Sequence, residues 1–289
     1  MNPFNCLFSK ALTALCASTF FLAPLLNAEE NFYRHYQEEV IGSGAGTPWS
    51  AERHLELVLQ AKSYLEKESL NKRTYPISVE DLEEIFQKAK TDRIPFFAYS
   101  SMIDKEAGAV KAISPEGGST QTAAIAFGIQ RTFNREMAAA TITAGWGPLE
   151  RPNDLAILNI FYKEDAVLNG VLFDLSLDDL VILSKREVGY DLVPVVVMKW
   201  QTAIDHQKEP QMFIAYTFQA PDYKGEGERY TSPHVNPVPG YFNYLQKGIK
   251  NFGPDFTAMW WATTYLADQK TGVKELPYKI IDQATINFD

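Results

Sequence analysis

The chain has 289 residues, of which 46% are hydrophobic and 22% charged, enough apolar mass to bury a sizeable core and too much for an intrinsically disordered chain. Its formal net charge of −9 and isoelectric point near 5.1 exclude the basic surface that nucleic-acid binding or adhesion to an anionic membrane calls for. No run of lysine or arginine reverses that balance.

Residues 1–28 carry one charged side chain, Lys10, followed by an apolar stretch over 11–26 and a sharp return to polarity at Glu29. This is the pattern of a secretory signal peptide, so export to a periplasm or out of the cell is expected, with cleavage after Ala28 despite the bulky Leu26 two positions upstream. An uncleaved anchor is the competing reading, and it meets an apolar stretch shorter than the about 20 residues that span a bilayer. A lipoprotein signal at Cys16 meets Leu15 where a small residue should stand. Cys6 and Cys16 are the only cysteines and both lie in this segment. A processed chain would therefore hold no disulfide, cysteine nucleophile or zinc–thiolate site.

Residues 29–48 are polar and irregular and end in Gly42-Ser43-Gly44-Ala45-Gly46, a flexible linker rather than a phosphate loop, because no strand precedes it and no P-loop lysine follows. A helical extension over 49–92 comes next. Ser50 can cap a helix with Leu55, Val58, Leu59 and Leu65 on its apolar stripe. Ser78 and Asp81 form a capping-box-like start for a second, with Leu82, Ile85, Phe86 and Ala89 on one face.

From residue 94 the pattern changes to short apolar runs separated by turn residues, which predicts strands over 94–99, 123–131, 155–162, 167–175, 192–200 and 211–218. A helix opened by Ser176 and Asp179, with Leu180 and Leu183 facing inward, falls between the fourth and fifth. Helices over 241–250 and 255–267 precede an extended tail. Strands in series with helices inserted late predict an α+β fold with a small mixed, barrel-like sheet and flanking helices, not an alternating α/β sandwich. There is no internal repeat.

The first strand closes on Phe97-Ala98-Tyr99-Ser100-Ser101-Met102, which resembles the gamma-glutamylcyclotransferase-like family, whose first strand ends in a Tyr-Gly-Ser loop. Four further landmarks follow in family order. The segment from Ala126 to Asn134, with Gly128, Gln130, Arg131 and Phe133, resembles the second strand. Asn169-Gly170-Val171-Leu172-Phe173-Asp174-Leu175 resembles the strand leading into the catalytic helix, and Lys185-Arg186-Glu187-Val188-Gly189-Tyr190 its acidic end. Pro237, Tyr241, Leu245 and Gly248 resemble the closing helix. The resemblance spans 93–253 and leaves 254–289 as a C-terminal helix and tail. In one departure, Ser100 stands where the family carries glycine, a position that a positive φ or close backbone approach would require.

The resemblance implies an intramolecular aminolysis: the α-amine of a γ-glutamyl group attacks its own γ-carbonyl, releasing 5-oxoproline and the amine that had been acylated. Nucleophile and electrophile sit in one molecule, so the protein has mainly to fold the substrate and move protons. Glu187 is the implied acid–base residue. It ends a helix, stands beside Gly189 and precedes an apolar strand able to raise its pKa; the alternative is a solvated helix-end glutamate paired with Lys185 or Arg186. Tyr99, Ser100, Ser101 and Met102 are the implied substrate loop, whose backbone N–H groups would take the α-carboxylate; the alternative is a plain strand end with Tyr99 in the core. Tyr190 and Tyr241 are implied pocket residues or packed core tyrosines, and Arg131 a structural ion-pair partner.

Ser101 does not point to a serine hydrolase, because no Gly-x-Ser-x-Gly elbow occurs. His35, His54, His206 and His234 are scattered without ligand spacing, so neither a metal nor a cofactor is expected. Trp260-Trp261 reads as core or docking surface rather than a ligand platform. The expected partner is a small γ-glutamyl substrate, with no nucleic acid and, after signal removal, no membrane; oligomeric state stays open. A non-catalytic binding module on the same fold is the alternative function, favoured if the N-terminal helices plug the pocket.

Overall fold

A computed structural model describes residues 59, 61, 63, 77–146, 155–187, 189–200, 212–221, 231–232 and 235–273. The signal segment, the glycine-rich linker, Ser50, Leu55, Val58, Leu65 and all four histidines lie outside the described residues. Among the described residues no helix is long and apolar enough to cross a membrane.

The strands are β1 (Arg93–Ala98), β2 (Thr122–Glu136), β3 (Leu155–Ser176), β4 (Asp191–Lys199), β5 (Met212–Gln219), β6 (Asn236–Pro237) and β7 (Thr264–Leu266). They form one sheet in the order β6-β3-β1-β5-β4-β2-β7, and β2 pairs back onto β3, so that β1, β5, β4, β2 and β3 close a barrel. Pairing is antiparallel except for β1 with β5, β2 with β7 and β3 with β6. The helices are α1 (Val79–Ala89), α2 (Gly108–Ala112), α3 (Pro115–Gly118), α4 (Ala139–Trp146), α5 (Leu177–Arg186), α6 (Pro239–Lys250) and α7 (Pro254–Ala262). The architecture is the α+β class expected, a small mixed barrel flanked by helices.

Two capping boxes set the helices on which the site depends. Ser78 and Asp81 exchange side-chain and backbone hydrogen bonds at the start of α1, and Ser176 and Asp179 do the same for α5. Leu82, Ile85 and Phe86 are buried in α1, and Leu180 and Leu183 in α5. Ala89 is exposed, because the left-handed Lys90 (φ 53°) ends the helix beside it. Residue 59 also departs from expectation: Leu59 is 44% exposed, whereas Ala61, on the opposite side of a helical turn, is 3% exposed.

Where two strands were expected over 155–162 and 167–175, β3 is continuous for 22 residues. Its register against β2 jumps from Phe127–Val167 to Ile129–Tyr162, so 163–166 bulge out and the ladder resumes on either side. Gly128, at φ +75°, supplies the matching bend in β2 that an L side chain would resist. The last predicted helix also ends early, at Ala262. Thr263 and Thr264 turn their hydroxyls back to the carbonyls of Met259 and Trp260, and the chain leaves the helix to pair with β2 as β7.

Candidate active site

The chain leaves β1 through Tyr99 and Ser100 into a 3-10 turn, Ser101–Ile103, closed by Ile103 N–H to Ser100 O (3.0 Å) and Asp104 N–H to Ser101 O (3.1 Å). Ser100 sits at φ −126°, ψ −139°, outside the left-handed region, so the loop makes no demand here for a glycine with positive φ. Of the two reasons for a glycine, positive φ does not apply, and the serine side chain is hydrogen-bonded to Tyr241. Ile103 and Asp104 spend their N–H groups inside the turn; those of Ser101 and Met102 take no part in closing it.

Tyr99 contributes main chain rather than ring. Its side chain is buried and its hydroxyl donates to Phe218 O on β5 at 2.8 Å, tying the strand end to the barrel. Its carbonyl accepts from Arg131 Nη1 at 3.3 Å. Across a trans peptide the next N–H, that of Ser100, must then point away from the guanidinium.

Arg131 is fully buried in β2 and is not the ion-pair partner expected. Its Nε donates to Thr264 Oγ1 (2.8 Å), Nη1 to Asn169 O (2.7 Å), and Nη2 to Asn169 Oδ1 (3.1 Å), Trp260 O (3.2 Å) and Thr263 Oγ1 (3.2 Å). The guanidinium lies 4.8 Å from the Trp260 ring centroid. Carbonyl and hydroxyl dipoles, not a carboxylate, satisfy the fork, and burial pulls its pKa well down. Trp260 itself is core, as expected, with Trp261 edge-on to it.

Glu187 caps the C-terminus of α5, its N–H bonded to Leu183 O at 2.9 Å, and Gly189 at φ 91° turns the chain into β4. Its accessible surface is intermediate although its carboxyl is set deep among protein atoms, because what exposure it has opens onto a cavity. Among the described residues nothing donates a hydrogen bond to that carboxylate. Burial raises its pKa to about 7, with Arg186 and Arg135 pulling partly against the rise.

Tyr190 N–H returns to Glu187 O at 3.2 Å, and the Tyr190 ring packs 5.3 Å from the Arg135 guanidinium. On α6 the buried Tyr241 hydroxyl is hydrogen-bonded with the Ser100 side chain and with the backbone at Leu158 and Ser101. Burial and then the neighbouring Glu187 carboxylate hold the Tyr190 phenol well above its usual range. Burial likewise raises Tyr241, with Glu187 adding to the rise and the hydrogen bonds opposing it.

These residues face one cavity of about 510 Å³, a size suited to a small molecule. Tyr99, Ser100, Ser101, Met102, Glu187, Tyr190 and Tyr241 all line it, so the structure brings together the residues implied as acid–base, loop and pocket residues. The described part of the helical extension contributes none of the lining and so does not plug it. Sequence reasoning missed Phe218, Tyr244, Gly108 and Arg186, which also line the cavity. Tyr244 was legible, one helical turn beyond Tyr241; Arg186 was set aside as a partner for Glu187.

Gly248 positions the loop from behind. A Cβ there would lie 2.8 Å from Asp104 N, so α6 rests on the backbone that closes the 3-10 turn. Gly248→Ala is expected to cost about 1–3 kcal/mol by overpacking and to displace the turn. A urea titration beside the wild type checks the first effect, and the KM for substrate the second.

No protein-family model matches the chain, and no curated protein does. Among solved structures, one named gamma-glutamyl cyclotransferase is similar over 68% of this chain and 88% of its own, at 13% identity and a TM-score of 0.38. YkqA from Bacillus subtilis is similar over 61% and 55%, at 17% identity and a TM-score of 0.40. A gamma-glutamyl cyclotransferase specific to glutathione, from yeast, is similar over 60% and 96%, at 13% identity and a TM-score of 0.33. The closed barrel rests on the pairing of this chain's own strands, and the chemistry of the site on its own residues.

Proposed function

We propose that the protein is a cyclotransferase that releases 5-oxoproline from γ-glutamyl compounds, with Glu187 carrying the protons. The observation behind this is a single carboxylate, free of hydrogen-bond donors among the described residues, opening into the cavity that the Tyr99–Met102 loop also lines. In the reaction the substrate's α-ammonium gives a proton to Glu187, and the amine attacks the γ-carbonyl carbon to form the ring C–N bond. The γ-amide C–N bond then breaks and the departing nitrogen takes the proton back. Two protons pass in all from the α-nitrogen to the departing one, each carried in turn by the same carboxyl. The N–H of Met102, unused by the turn, suits the α-carboxylate, and the buried tyrosines, Tyr241 among them held by the Ser101 backbone, wall the glutamyl chain into a folded shape.

Incubating the protein with a panel of γ-glutamyl peptides and amines and measuring 5-oxoproline by mass spectrometry tests the reading. No release from any of them would sink it and leave the binding module in its place. A pH profile adds a second check. Glu187 must be ionised to accept the first proton, so kcat/KM is expected to rise through pH about 7 and level off above it. A profile flat from pH 5 to 9 would contradict the role. Export through residues 1–28 belongs to the same proposal, and N-terminal sequencing of the protein recovered outside the cytoplasm should begin at Glu29.

A further inference from the structure

The cavity carries one acidic side chain, Glu187, and, among the described residues, one cationic one, Arg186. They are adjacent in sequence but differently placed. Glu187 is set inward at the end of α5, whereas Arg186 is exposed, and its Nη2 lies 3.3 Å from where a Cβ on Gly108 would stand. The guanidinium therefore lies over a residue with no side chain, on the α2 side of the cavity. No carboxylate forms an ion pair with it among the described residues, although its charge lowers the pKa of the neighbouring Glu187 through space.

A γ-glutamyl compound reacting at Glu187 must place its glutamyl half inward, where the α-nitrogen and the γ-amide both reach that carboxyl. The departing half then extends toward the mouth, where Arg186 stands. A planar fork of N–H donors at that point matches a carboxylate. Resting on the cyclotransferase reading, we propose that Arg186 is a specificity residue that binds a carboxylate on the departing amine, so that the protein prefers γ-glutamyl amino acids and peptides to γ-glutamyl amines without one. Charges then match along the cavity: substrate ammonium to Glu187, α-carboxylate to the Met102 N–H of the loop, and the distal carboxylate to Arg186.

The test is a matched pair, γ-glutamylalanine and γ-glutamylethylamine, which differ only in that carboxylate, assayed on the full-length chain for 5-oxoproline. The wild type is expected to favour the alanine compound by about tenfold or more in kcat/KM, expressed in KM, the size of one charge-assisted hydrogen-bonded pair at a partly wet site. Arg186→Gln should bring that ratio to about one, and Arg186→Lys to an intermediate value. Lys185→Gln, which removes a neighbouring exposed charge from the same helix end, should leave the ratio where it was.

A wild type with no preference, or a preference that survives Arg186→Gln, overturns the inference while the cyclotransferase reading stands. If Arg186→Gln instead shifts the pH profile alike for both substrates with the ratio intact, the guanidinium only tunes Glu187 and the inference falls. Release of 5-oxoproline from neither compound would take down the cyclotransferase reading, and this inference with it.

Discussion

Glu187→Gln is expected to lose about 10²–10⁴-fold in 5-oxoproline release, the range that a positioned acid–base group contributes, while the folded protein becomes more stable at pH 8. The stability effect follows from the raised pKa of about 7. Below about pH 4.5 the carboxyl is protonated in both folded and unfolded chains and contributes nothing. Between 4.5 and 7 the unfolded chain ionises first, so stability falls as pH rises, by at most about 3 kcal/mol, and stays at that lower level above 7. Glutamine carries no such penalty. Parallel urea titrations of wild type and variant at pH 4.5 and pH 8 should show curves that nearly coincide at the lower pH and separate at the higher. A variant that keeps its turnover overturns the catalytic role. One that loses turnover but gains no stability at pH 8 means that Glu187 is solvated.

Arg131→Met is expected to cost about 3–5 kcal/mol, enough to threaten a domain of ordinary stability. Removing a buried charge sometimes stabilises a protein when its partner is removed with it. Here the partners are backbone carbonyls of Tyr99, Asn169 and Trp260 together with the Asn169 side chain and two threonine hydroxyls. They cannot leave, and stripped of donors in a fully buried volume each carries its own desolvation cost, about 1–3 kcal/mol before relaxation. Lysine should recover only part, since its three donors lack the fork that reaches strand β3, the end of α7 and the Tyr99 carbonyl together. Urea midpoints rank the three proteins. Any Arg131→Lys protein that folds should also bind substrate more weakly, because the Tyr99–Ser100 peptide has lost the guanidinium that orients it. An Arg131→Met protein as stable as wild type would show that those carbonyls find other donors.

Much of the fold was legible because its signals are local. Capping boxes at Ser78 and Ser176 are read from residues three apart, and Leu180 and Leu183 follow from helical spacing. The misreadings have particular causes. The polar Lys163-Glu164-Asp165 triplet looks like a turn between two strands, yet the pairing with β2 resumes beyond it and carries β3 straight through. Ala138-Ala139-Ala140 carries no marked apolar period, so α4 went unseen. Arg131 offered a charge but no neighbour; the residues that satisfy it lie 32 to 133 positions away.

By itself the sequence determined the main strands and the helices α1, α5 and α6, the α+β class and the choice of Glu187 with the Tyr99–Met102 loop, because each is written in short-range pattern or in motifs met in order. Closure of β2 onto β3, the dipole cage around Arg131, the cavity and the place of Arg186 in its wall were decided only in three dimensions. The ionisation of Glu187 belongs with them. A carboxyl's pKa is set by how much water surrounds it, and the water is removed by residues from β1, β5 and α6 that reach the end of α5 only once the barrel has closed.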